Sequence, residues 1–407
     1  MPLPAPSFDR DELSTVVARL TGDRSAPPEP HVVAPLDGAG PGGATGGLWR
    51  VASAPGAAQP WSAVLKLVVH SDAGHRHWRS SRSPRDPMYW KHEALLYGSG
   101  LLDELSGGLR APRCLLVAER TDEHVALWLE DVGGAVPAGD WPLARYAVAA
   151  RHLGAAQAGF VSRCGELPRW LSRGWLRAYV ERRAGEIATP LPPEAWRHPL
   201  VRIAMPQPLD RWVADVWRRR AMLFSLLAEL PQTLCHLDVW PPNLFADRDD
   251  RTIAIDWAYA GIGALGEDVG NLVPDAVLDC FVDGGAVREL HELTVAGYLD
   301  GLSSAGWDGD PAQVRCGIAA SAVLKYLWMA PALVRRAHDP EQLAGLEQQF
   351  DRSAEDLFAQ RGHVLDLLQA LDADATAHAA TARHGVKLRA HPRRKRPRGR
   401  GRLTPPG

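Results

Sequence analysis

Hydrophobic positions along the chain follow two different patterns. Between residues 31 and 132 they form short runs broken by glycine and proline, which is typical of β-strands. From residue 140 to residue 372 they recur mostly at helical spacing, with one strand-like interruption at 233–257. The sequence therefore predicts a small β-rich lobe followed by a larger helical lobe, an α+β fold without an internal repeat of fixed period.

The same pattern predicts the individual elements. A first helix is expected over 9–21, with Asp9 as its N-cap and Gly22 after its last turn. In the small lobe we expect strands at 31–36, 47–54, 61–69, 113–120 and 124–132, and one helix at 87–98. In the large lobe the clearest helices are expected at 143–161, 209–230 and 321–337.

Composition is that of an ordinary globular protein. The chain has 407 residues, of which 46% are hydrophobic and 23% charged. No window of 18 apolar residues occurs, so we expect no membrane span, and acidic residues near the N-terminus argue against a signal peptide. Five scattered cysteines, none in a CxxC spacing, argue against a disulfide framework or a zinc site and favour the cytoplasm: Cys114, Cys164, Cys235, Cys280 and Cys316.

Charge is distributed unevenly. Ten of the 46 Lys and Arg residues, and none of the 48 Asp and Glu residues, lie in 383–407, so residues 1–382 hold 36 basic and 48 acidic groups. This acidic body favours cationic small molecules or magnesium nucleotides as partners, and only the basic end would attract nucleic acid. With few large apolar residues, the basic end is expected to be disordered. The predicted regions are an N-terminal helix and linker (1–30), a small lobe (31–131), a helical lobe (132–375) and a basic disordered tail (376–407).

Two short apolar segments after residue 240 predict a β-hairpin. Residues 243–247 and 252–257 flank the turn signal RDDR. If the hairpin is centred on 249–250, Asn243 lies opposite Asp256, with Cβ atoms about 5 Å apart. Two oxygen-bearing side chains at that distance can share one magnesium ion, which prefers such ligands together with phosphate oxygens.

Two further polar residues precede this hairpin. Asp238 is placed to take the proton from an attacking hydroxyl, and His236 is placed to brace the loop. A pair of this kind alone is more often a turn or cap in an unrelated hairpin. Zinc binding is disfavoured because no other His or Cys lies at ligand spacing nearby. A base, a brace and two metal ligands together indicate phosphoryl transfer.

The segment CHLDVWPPNLF followed by IAIDW resembles the HxDxxxxN…D signature of the aminoglycoside phosphotransferase and choline kinase-like family, which is related to protein kinases. The resemblance implies a bilobal, protein kinase-like fold over roughly residues 31–370, with ATP and Mg²⁺ as cofactors. It implies a catalytic base, a bracing histidine, two magnesium ligands and an acid that holds the catalytic loop, at Asp238, His236, Asn243, Asp256 and Asp268 respectively.

A second half of a nucleotide site is indicated in the small lobe. Lys66 lies in the middle of an apolar strand, where an ammonium is costly to bury without an acidic or phosphate partner. Glu93 falls on the apolar face of the helix at 87–98, which Asp86 could cap. In kinases a strand lysine and a helix glutamate together hold the α- and β-phosphates. The alternative is an edge-strand lysine and an exposed glutamate.

Glycines and the end of the small lobe complete the nucleotide-site candidates. Gly38, Gly40 and Gly43 spell GxGxxG in a loop whose backbone amides could cover phosphates. A loop without a ligand explains these glycines equally well. A strand rather than a helix follows them, which argues against a dinucleotide-binding motif. By resemblance, the hinge that offers backbone groups to adenine is formed by Leu129, Glu130 and Asp131.

The acceptor is less well defined. Trp240 stands where protein kinases carry a lysine, which favours a small-molecule hydroxyl over a protein side chain. Trp240 and Trp257 could line the acceptor pocket or simply pack in the core. Leu237 stands where many family members carry glycine. The family implies aminoglycosides, choline, ethanolamine, amino-acid hydroxyls, macrolides or sugars, and the sequence does not choose among them.

Three acidic residues raise the question of a cationic acceptor. Asp275, Asp279 and Asp283 recur every four residues, which would place them on one face of a helix. A solvated surface is the plainer interpretation, and an acidic wall for an amine-bearing acceptor is the alternative. For the protein as a whole, the sequence favours an ATP-dependent small-molecule kinase, and the competing class is a non-catalytic nucleotide-binding protein with a kinase fold.

Overall fold

The structure is a computed structural model that describes residues 6, 8–36, 44–70, 79–121 and 123–389. Its first elements are α1 (Arg10–Thr21), β1 (His31–Pro35), β2 (Thr45–Ser53), β3 (Ser62–Val69), α2 (His92–Ser99), β4 (Leu109–Arg110), β5 (Cys114–Thr121) and β6 (His124–Glu130). The later elements are β7 (Val136–Pro137), α3 (Leu143–Val161), α4 (Trp175–Arg182), α5 (Ala184–Ala188), α6 (Pro199–Ala204), α7 (Asp210–Glu229), β8 (Gln232–Cys235), β9 (Leu244–Ala246), β10 (Thr252–Ala254), β11 (Gly261–Ala264), α8 (Glu267–Leu278), α9 (Val287–Ser304), α10 (Pro311–Tyr326), α11 (Met329–Ala337), α12 (Pro340–Phe350) and α13 (Ala354–Arg389).

The small lobe is a five-stranded antiparallel sheet in the order β1-β2-β3-β6-β5. Its five strands agree with the sequence prediction to within two residues at each end. Side chains alternate between the two faces, as strand geometry requires. Leu65 on β3 belongs to the core under α1, and Val68 belongs to the core under α2. The sheet therefore lies between two helices, with Lys66 on the α2 side.

Helix α1 covers the outer face of this sheet. Asp9 caps it as predicted, because its Oδ1 accepts a hydrogen bond from the Glu12 amide at 2.6 Å, and Gly22 ends it in a left-handed conformation. The Glu12 carboxylate in turn accepts hydrogen bonds from Arg120 and from the Trp128 indole. A buried apolar stripe and a polar contact thus hold α1 on the sheet.

Helix α2 begins five residues later than the sequence predicts. The predicted cap, Asp86, accepts a hydrogen bond from the Met88 amide at 2.9 Å and pairs with Arg182. Residues 81–91 form turns and a bridge between Ser81 and Tyr89. This local side-chain-to-backbone bond competes with helix initiation, so the regular helix begins only at His92.

The large lobe is built around the pair α3 and α9. The two helices pack closely because glycine faces backbone where they cross. A Cβ on Gly154 would lie 2.3 Å from the Tyr298 carbonyl oxygen, and one on Gly301 would lie 2.0 Å from the Arg151 carbonyl oxygen. Two small sheets, β4-β10-β9-β7 and β11-β8, lie beside this helical core. The predicted helix at 143–161 coincides with α3.

The apolar stretch at 311–337 is hydrophobic enough to span a membrane by length and composition. It is not one helix, as predicted for 321–337, but two, since α10 ends at Tyr326 and α11 starts at Met329. In its most apolar window 89% of the residues are buried inside the protein. The stretch therefore contributes to the core of the large lobe.

Two other helix ends differ from the sequence prediction. Helix α8 ends at Leu278, and Cys280 takes a left-handed φ of 62°, so Asp283 does not share a helix face with Asp275 and Asp279. Instead Asp283 caps the next turn through the Gly285 amide, at 2.8 Å. Helix α13 continues to Arg389, so residues 376–389 are helical where we predicted a disordered tail.

Candidate active site

Three charged side chains meet where the two lobes face each other. Lys66 comes from the middle of β3, Glu93 from the first turn of α2 and Asp256 from the segment after β10. The Lys66 Nζ atom lies 2.6 Å from Glu93 Oε2 and 2.8 Å from Asp256 Oδ1. Burial alone would lower the pKa of Lys66, but the carboxylates of Asp256 and Glu93 outweigh burial and raise it. The lysine is therefore a fixed cation at this interface.

The loop 236–238 is held by the start of α8. The Asp268 carboxylate accepts hydrogen bonds from the backbone amides of His236 and Leu237 at 2.9 and 2.7 Å and from Gln157 Nε2 at 2.6 Å. Leu237 has a φ of 66°, a conformation that costs a non-glycine residue roughly 1–2 kcal/mol. This explains why glycine would suit the position, and the two bonds to Asp268 hold the chain in that conformation.

The His236 ring links this loop to the strand that leads to Asp256. Its Nε2 lies 2.9 Å from the Ile255 carbonyl oxygen, and its Nδ1 lies 3.3 Å from the Asp238 amide nitrogen. Burial lowers the pKa of His236, which favours the neutral ring. A neutral ring with hydrogen on Nε2 donates to Ile255 and accepts from Asp238, so both contacts are satisfied.

Asn243 fixes the Asp238 side chain. The Asn243 Nδ2 group donates to the Asp238 carbonyl oxygen at 3.0 Å and to Asp238 Oδ2 at 3.4 Å. Burial raises the pKa of Asp238 to about 7, against the opposing charge of Lys325. With its amide nitrogen engaged in this way, Asn243 has its Oδ1 directed away from Asp238.

The hairpin that carries these residues has a different register from the predicted one. Strand β9 pairs with β10 so that Ala254 faces Leu244, and the Ile255 amide bonds to the Asn243 carbonyl oxygen at 2.9 Å. Asn243 therefore lies opposite Ile255 and not Asp256. The turn contains three residues, because Asp250 adopts a left-handed φ of 58°, as in three-residue hairpin loops.

Asp256 reaches the site through its own backbone conformation. Its φ of 59° turns the chain at the end of the hairpin, and its side chain then lies against Lys66. The side chain is 42% exposed, although Lys66 lowers the pKa of its carboxyl against the effect of burial. An exposed, ionised carboxylate oxygen beside Lys66 can coordinate a metal ion that is also bound to phosphate.

The donor set fits a magnesium ion that is shared with phosphates. Among the described residues, no group of three or more His, Cys, Asp or Glu side chains could hold a metal. The oxygens of Asn243 and Asp256 supply only two ligands, and a hard cation with few protein ligands takes the rest from phosphate and water. Asn243 and Asp256 would hold such an ion.

The hinge candidates lie at the end of β6. The Glu130 carboxylate accepts from Arg110 Nη1 at 2.9 Å and from the Arg113 amide at 3.0 Å. The Asp131 carboxylate accepts from Arg50 Nε at 2.7 Å. These side chains are thus engaged within the protein, and Leu129 is buried, so adenine recognition here would fall to the backbone. The glycines Gly38, Gly40 and Gly43 lie outside the described residues.

The structure also contains a buried cluster around Lys325 that we did not predict. Lys325 on α10 is buried, and its Nζ lies 3.9 Å from Asp275 Oδ2. It also lies 5.1 Å from the centroid of Trp175 and 5.8 Å from that of Tyr179, and the Tyr259 ring packs on Trp175 at 5.7 Å. The sequence does contain a signal for Lys325, which is the single lysine in the apolar stretch 311–337. A lysine within an apolar segment is also what identified Lys66.

The two tryptophans considered for the acceptor pocket differ in position. Trp257 is 2% exposed, and its Nε1 donates to the Ala254 carbonyl oxygen at 2.7 Å, so it packs in the core. Trp240 is half-buried beside the loop. The predicted acidic wall is also changed, since Asp275 is opposed by Lys325 and Asp283 serves as a turn cap.

Comparison with known proteins gives the class of the chain. A model of the family described as "Phosphotransferase enzyme family" matches residues 62–309, more than half of the chain. The chain therefore belongs to this phosphotransferase family, and the resemblance stated from the motifs is confirmed. It is a small-molecule kinase, a class of enzyme that uses ATP with a divalent metal. No curated protein matches the sequence.

The chain has a kinase-like bilobal fold, and several solved structures are similar to it. Amicoumacin kinase hAmiN, in complex with AMP-PNP, Ca²⁺ and Ami, has a TM-score of 0.50 and 16% identity, over 86% of this chain and 94% of that one. A choline kinase from Cryptosporidium parvum Iowa II has a TM-score of 0.49 and 11% identity, over 91% and 97%. An aminoglycoside phosphotransferase from Alicyclobacillus acidocaldarius has values of 0.48 and 13%, over 92% and 98%.

Proposed function

We propose that this protein transfers the γ-phosphoryl group of Mg²⁺-ATP to a hydroxyl of a small molecule, with Asp238 as the general base. The observation that carries the proposal is the fixed spacing of Lys66, Glu93 and Asp256 beside a loop that presents Asp238. Phosphoryl transfer depends on positioning and on charge stabilisation, and this cluster supplies both.

In the proposed reaction, the acceptor hydroxyl lies against the Asp238 carboxylate and gives its proton to it as the oxygen attacks phosphorus. Asn243 orients the carboxylate through its Nδ2 group. A base whose pKa lies near neutral pH combines availability with driving force. His236 and Asp268 hold the loop in place.

On the nucleotide side, Lys66 donates hydrogen bonds to the phosphates while Glu93 keeps its ammonium in position. Asn243 and Asp256 would hold the magnesium ion, which supplies charge neutralisation at the phosphates when bound. The contact with Lys66 holds the Asp256 carboxylate at the place where it would meet the ion. The hinge backbone at 129–131 would receive the adenine.

The experiment that tests the function is acceptor-dependent consumption of ATP. Purified protein is incubated with ATP, with and without Mg²⁺, over a panel of hydroxylated compounds that includes aminoglycosides, amino alcohols, hydroxy amino acids and sugars. Turnover that needs both Mg²⁺ and one class of acceptor is the expected result. Nucleotide binding without phosphorylated product for any acceptor would favour a non-catalytic nucleotide-binding protein instead.

A further inference from the structure

Beyond Lys325, the acceptor side holds a second group of cations with too few partners. Arg183 follows α4, Arg336 lies on α11 and Arg361 lies on α13. The Arg183 guanidinium and the Lys325 ammonium lie against the same Tyr179 ring, at 5.0 and 5.8 Å from its centroid. Arg183 thus lies on the same ring as Lys325, and its charge acts on Arg336, as that of Arg336 acts on Arg361.

Arg361 is the most unusual member of this group. It is 3% exposed, and its Nε and Nη1 atoms are buried without a hydrogen-bond partner. Its guanidinium lies 5.3 Å from the Phe350 ring centroid. Burial and the like charge of Arg336 lower the pKa of Arg361 to about 10, so it stays charged at neutral pH. A buried charge with unpaired donors destabilises the folded protein.

The nearby acids do not balance these cations. Glu186 pairs with Arg183 at 2.8 Å. Asp279, at the end of α8, is close enough for its charge to act on Arg336 and Arg361, yet it forms no ion pair with either in the described part of the chain. In the described part of the chain, only Arg183 of the three guanidinium groups therefore has a carboxylate at ion-pair distance, and Arg361, the most buried of the three, has none.

Unpaired arginine donors of this kind suit a planar or tetrahedral oxyanion, which accepts several N–H bonds at once. We propose that Arg336 and Arg361, beside Asp279, form a subsite for an anionic group of the acceptor, a carboxylate or a phosphate. The acceptor is then a hydroxylated anion and not the amine that the acidic residues suggested. This inference rests on the proposed function only for the identity of the ligand as an acceptor.

The subsite can be tested by binding, without turnover. Melting temperatures are measured for the full chain, saturated with Mg²⁺ and AMP-PNP, as succinate or inorganic phosphate is added against potassium chloride of equal ionic strength. A ligand that binds only the folded state raises the melting temperature. The wild type should gain several degrees with at least one of the two anions, and the anion that acts tells a carboxylate from a phosphate ligand.

Four variants give the contrast. Arg361→Met should lose this gain and should melt at the same or a higher temperature without anion, because a buried charge with unpaired donors is removed. Arg336→Met should lose most of the gain. Arg218→Met, at a side chain that is 74% exposed and pairs with Asp215 on the same helix, should behave as wild type. Lys66→Met should lose the nucleotide-induced gain and retain the anion-induced gain.

Three outcomes would overturn the proposal. The first is that neither anion raises the melting temperature of the wild type, and the second is that Arg361→Met and Arg336→Met show the same rise as the wild type. The third is an Arg361→Met protein that is much less stable than the wild type without anion. The last result would make Arg361 a structural residue. Absence of any nucleotide-induced gain in the wild type would instead count against the proposed function, and the succinate series would still decide on the subsite.

Discussion

Two buried lysines divide the candidate active site into halves of different character. On the nucleotide side, Lys66 has carboxylate oxygens of Glu93 and Asp256 at 2.6 and 2.8 Å. On the acceptor side, Lys325 has one carboxylate oxygen, of Asp275, at 3.9 Å, and otherwise lies over aromatic rings. The first lysine is paired within the protein, and the second is only partly paired.

This difference in pairing indicates how each half would contribute to binding free energy. A fully paired lysine is preorganised, so a nucleotide meets groups that are already in position. On the proposed acceptor side Lys325 is only partly paired and Arg361 has unpaired donors, so a ligand that pairs with them would offset the cost of burying their charges. In the proposed function, the nucleotide half therefore contributes to folding as well as to binding, whereas the acceptor half contributes mainly to recognition.

The largest expected contrast concerns stability. Lys66→Met leaves Glu93 buried without its partner, so the free energy of unfolding should fall by about 3 kcal/mol. Lys325→Met removes a cation whose nearest carboxylate oxygen is 3.9 Å away and leaves Asp275 its hydrogen bonds with Tyr326 and Asn271, so we expect a smaller loss, of about 1 kcal/mol. Urea denaturation of both variants measures this, and equal losses would remove the distinction between the halves.

The next effect concerns metal dependence on the nucleotide side. Asp256→Ala should raise the magnesium concentration needed for nucleotide binding by about 100-fold, and Asn243→Ala by about tenfold, because a charged ligand binds more strongly than a neutral one. Magnesium titration at fixed ATP tests this. Asp249→Ala, in the exposed turn of the same hairpin, is the matched control. An unchanged requirement in both variants would exclude these ligands.

A smaller effect tests the pair on which the nucleotide half depends. Lys66→Met and Glu93→Gln should be non-additive in nucleotide binding, with a coupling free energy of about 1–3 kcal/mol. The two single variants and the double variant, titrated with AMP-PNP, give the value. Purely additive effects would mean that the contact at 2.6 Å does not act in binding.

The smallest effect lies on the acceptor side and depends on pH. Glu267 lines the same crevice as Lys325, and burial raises its pKa from 4.5 to about 7. A carboxyl whose pKa is higher in the folded protein loses stabilising free energy as pH rises from 4.5 to 7. Glu267→Gln should therefore be more stable than wild type at pH 8, by about 1 kcal/mol, and nearly equal to it at pH 4. A constant difference at both pH values would contradict this assignment.

The nucleotide half was largely predictable from the sequence because its signals are local. Lys66 stands out in an apolar strand, and the spacing from His236 to Asn243 belongs to one short motif. The register of the hairpin was not predictable, because it depends on the left-handed conformation of Asp250. Asp256 nevertheless reaches Lys66, because Asp256 itself adopts a left-handed conformation that strand pairing alone could not reveal.

The acceptor half was largely missed because its residues come from distant parts of the chain. Trp175 and Lys325 meet only when α4 and α10 pack together, and Arg361 comes from α13. The spacing of Asp275, Asp279 and Asp283 was also misleading, since helix α8 ends before the third of them. Side chains that come together from distant parts of the chain produce no local sequence pattern by which they could be predicted.

The most direct test of the central claim is phosphate transfer by Asp238→Asn at saturating Mg²⁺-ATP. With the acceptor that the panel identifies, transfer should fall by at least about 10²–10⁴-fold, because the base that receives the hydroxyl proton is removed. The affinity for Mg²⁺-AMP-PNP should change little. Transfer at the wild-type rate, with nucleotide binding intact, would contradict the assignment of Asp238 as the base.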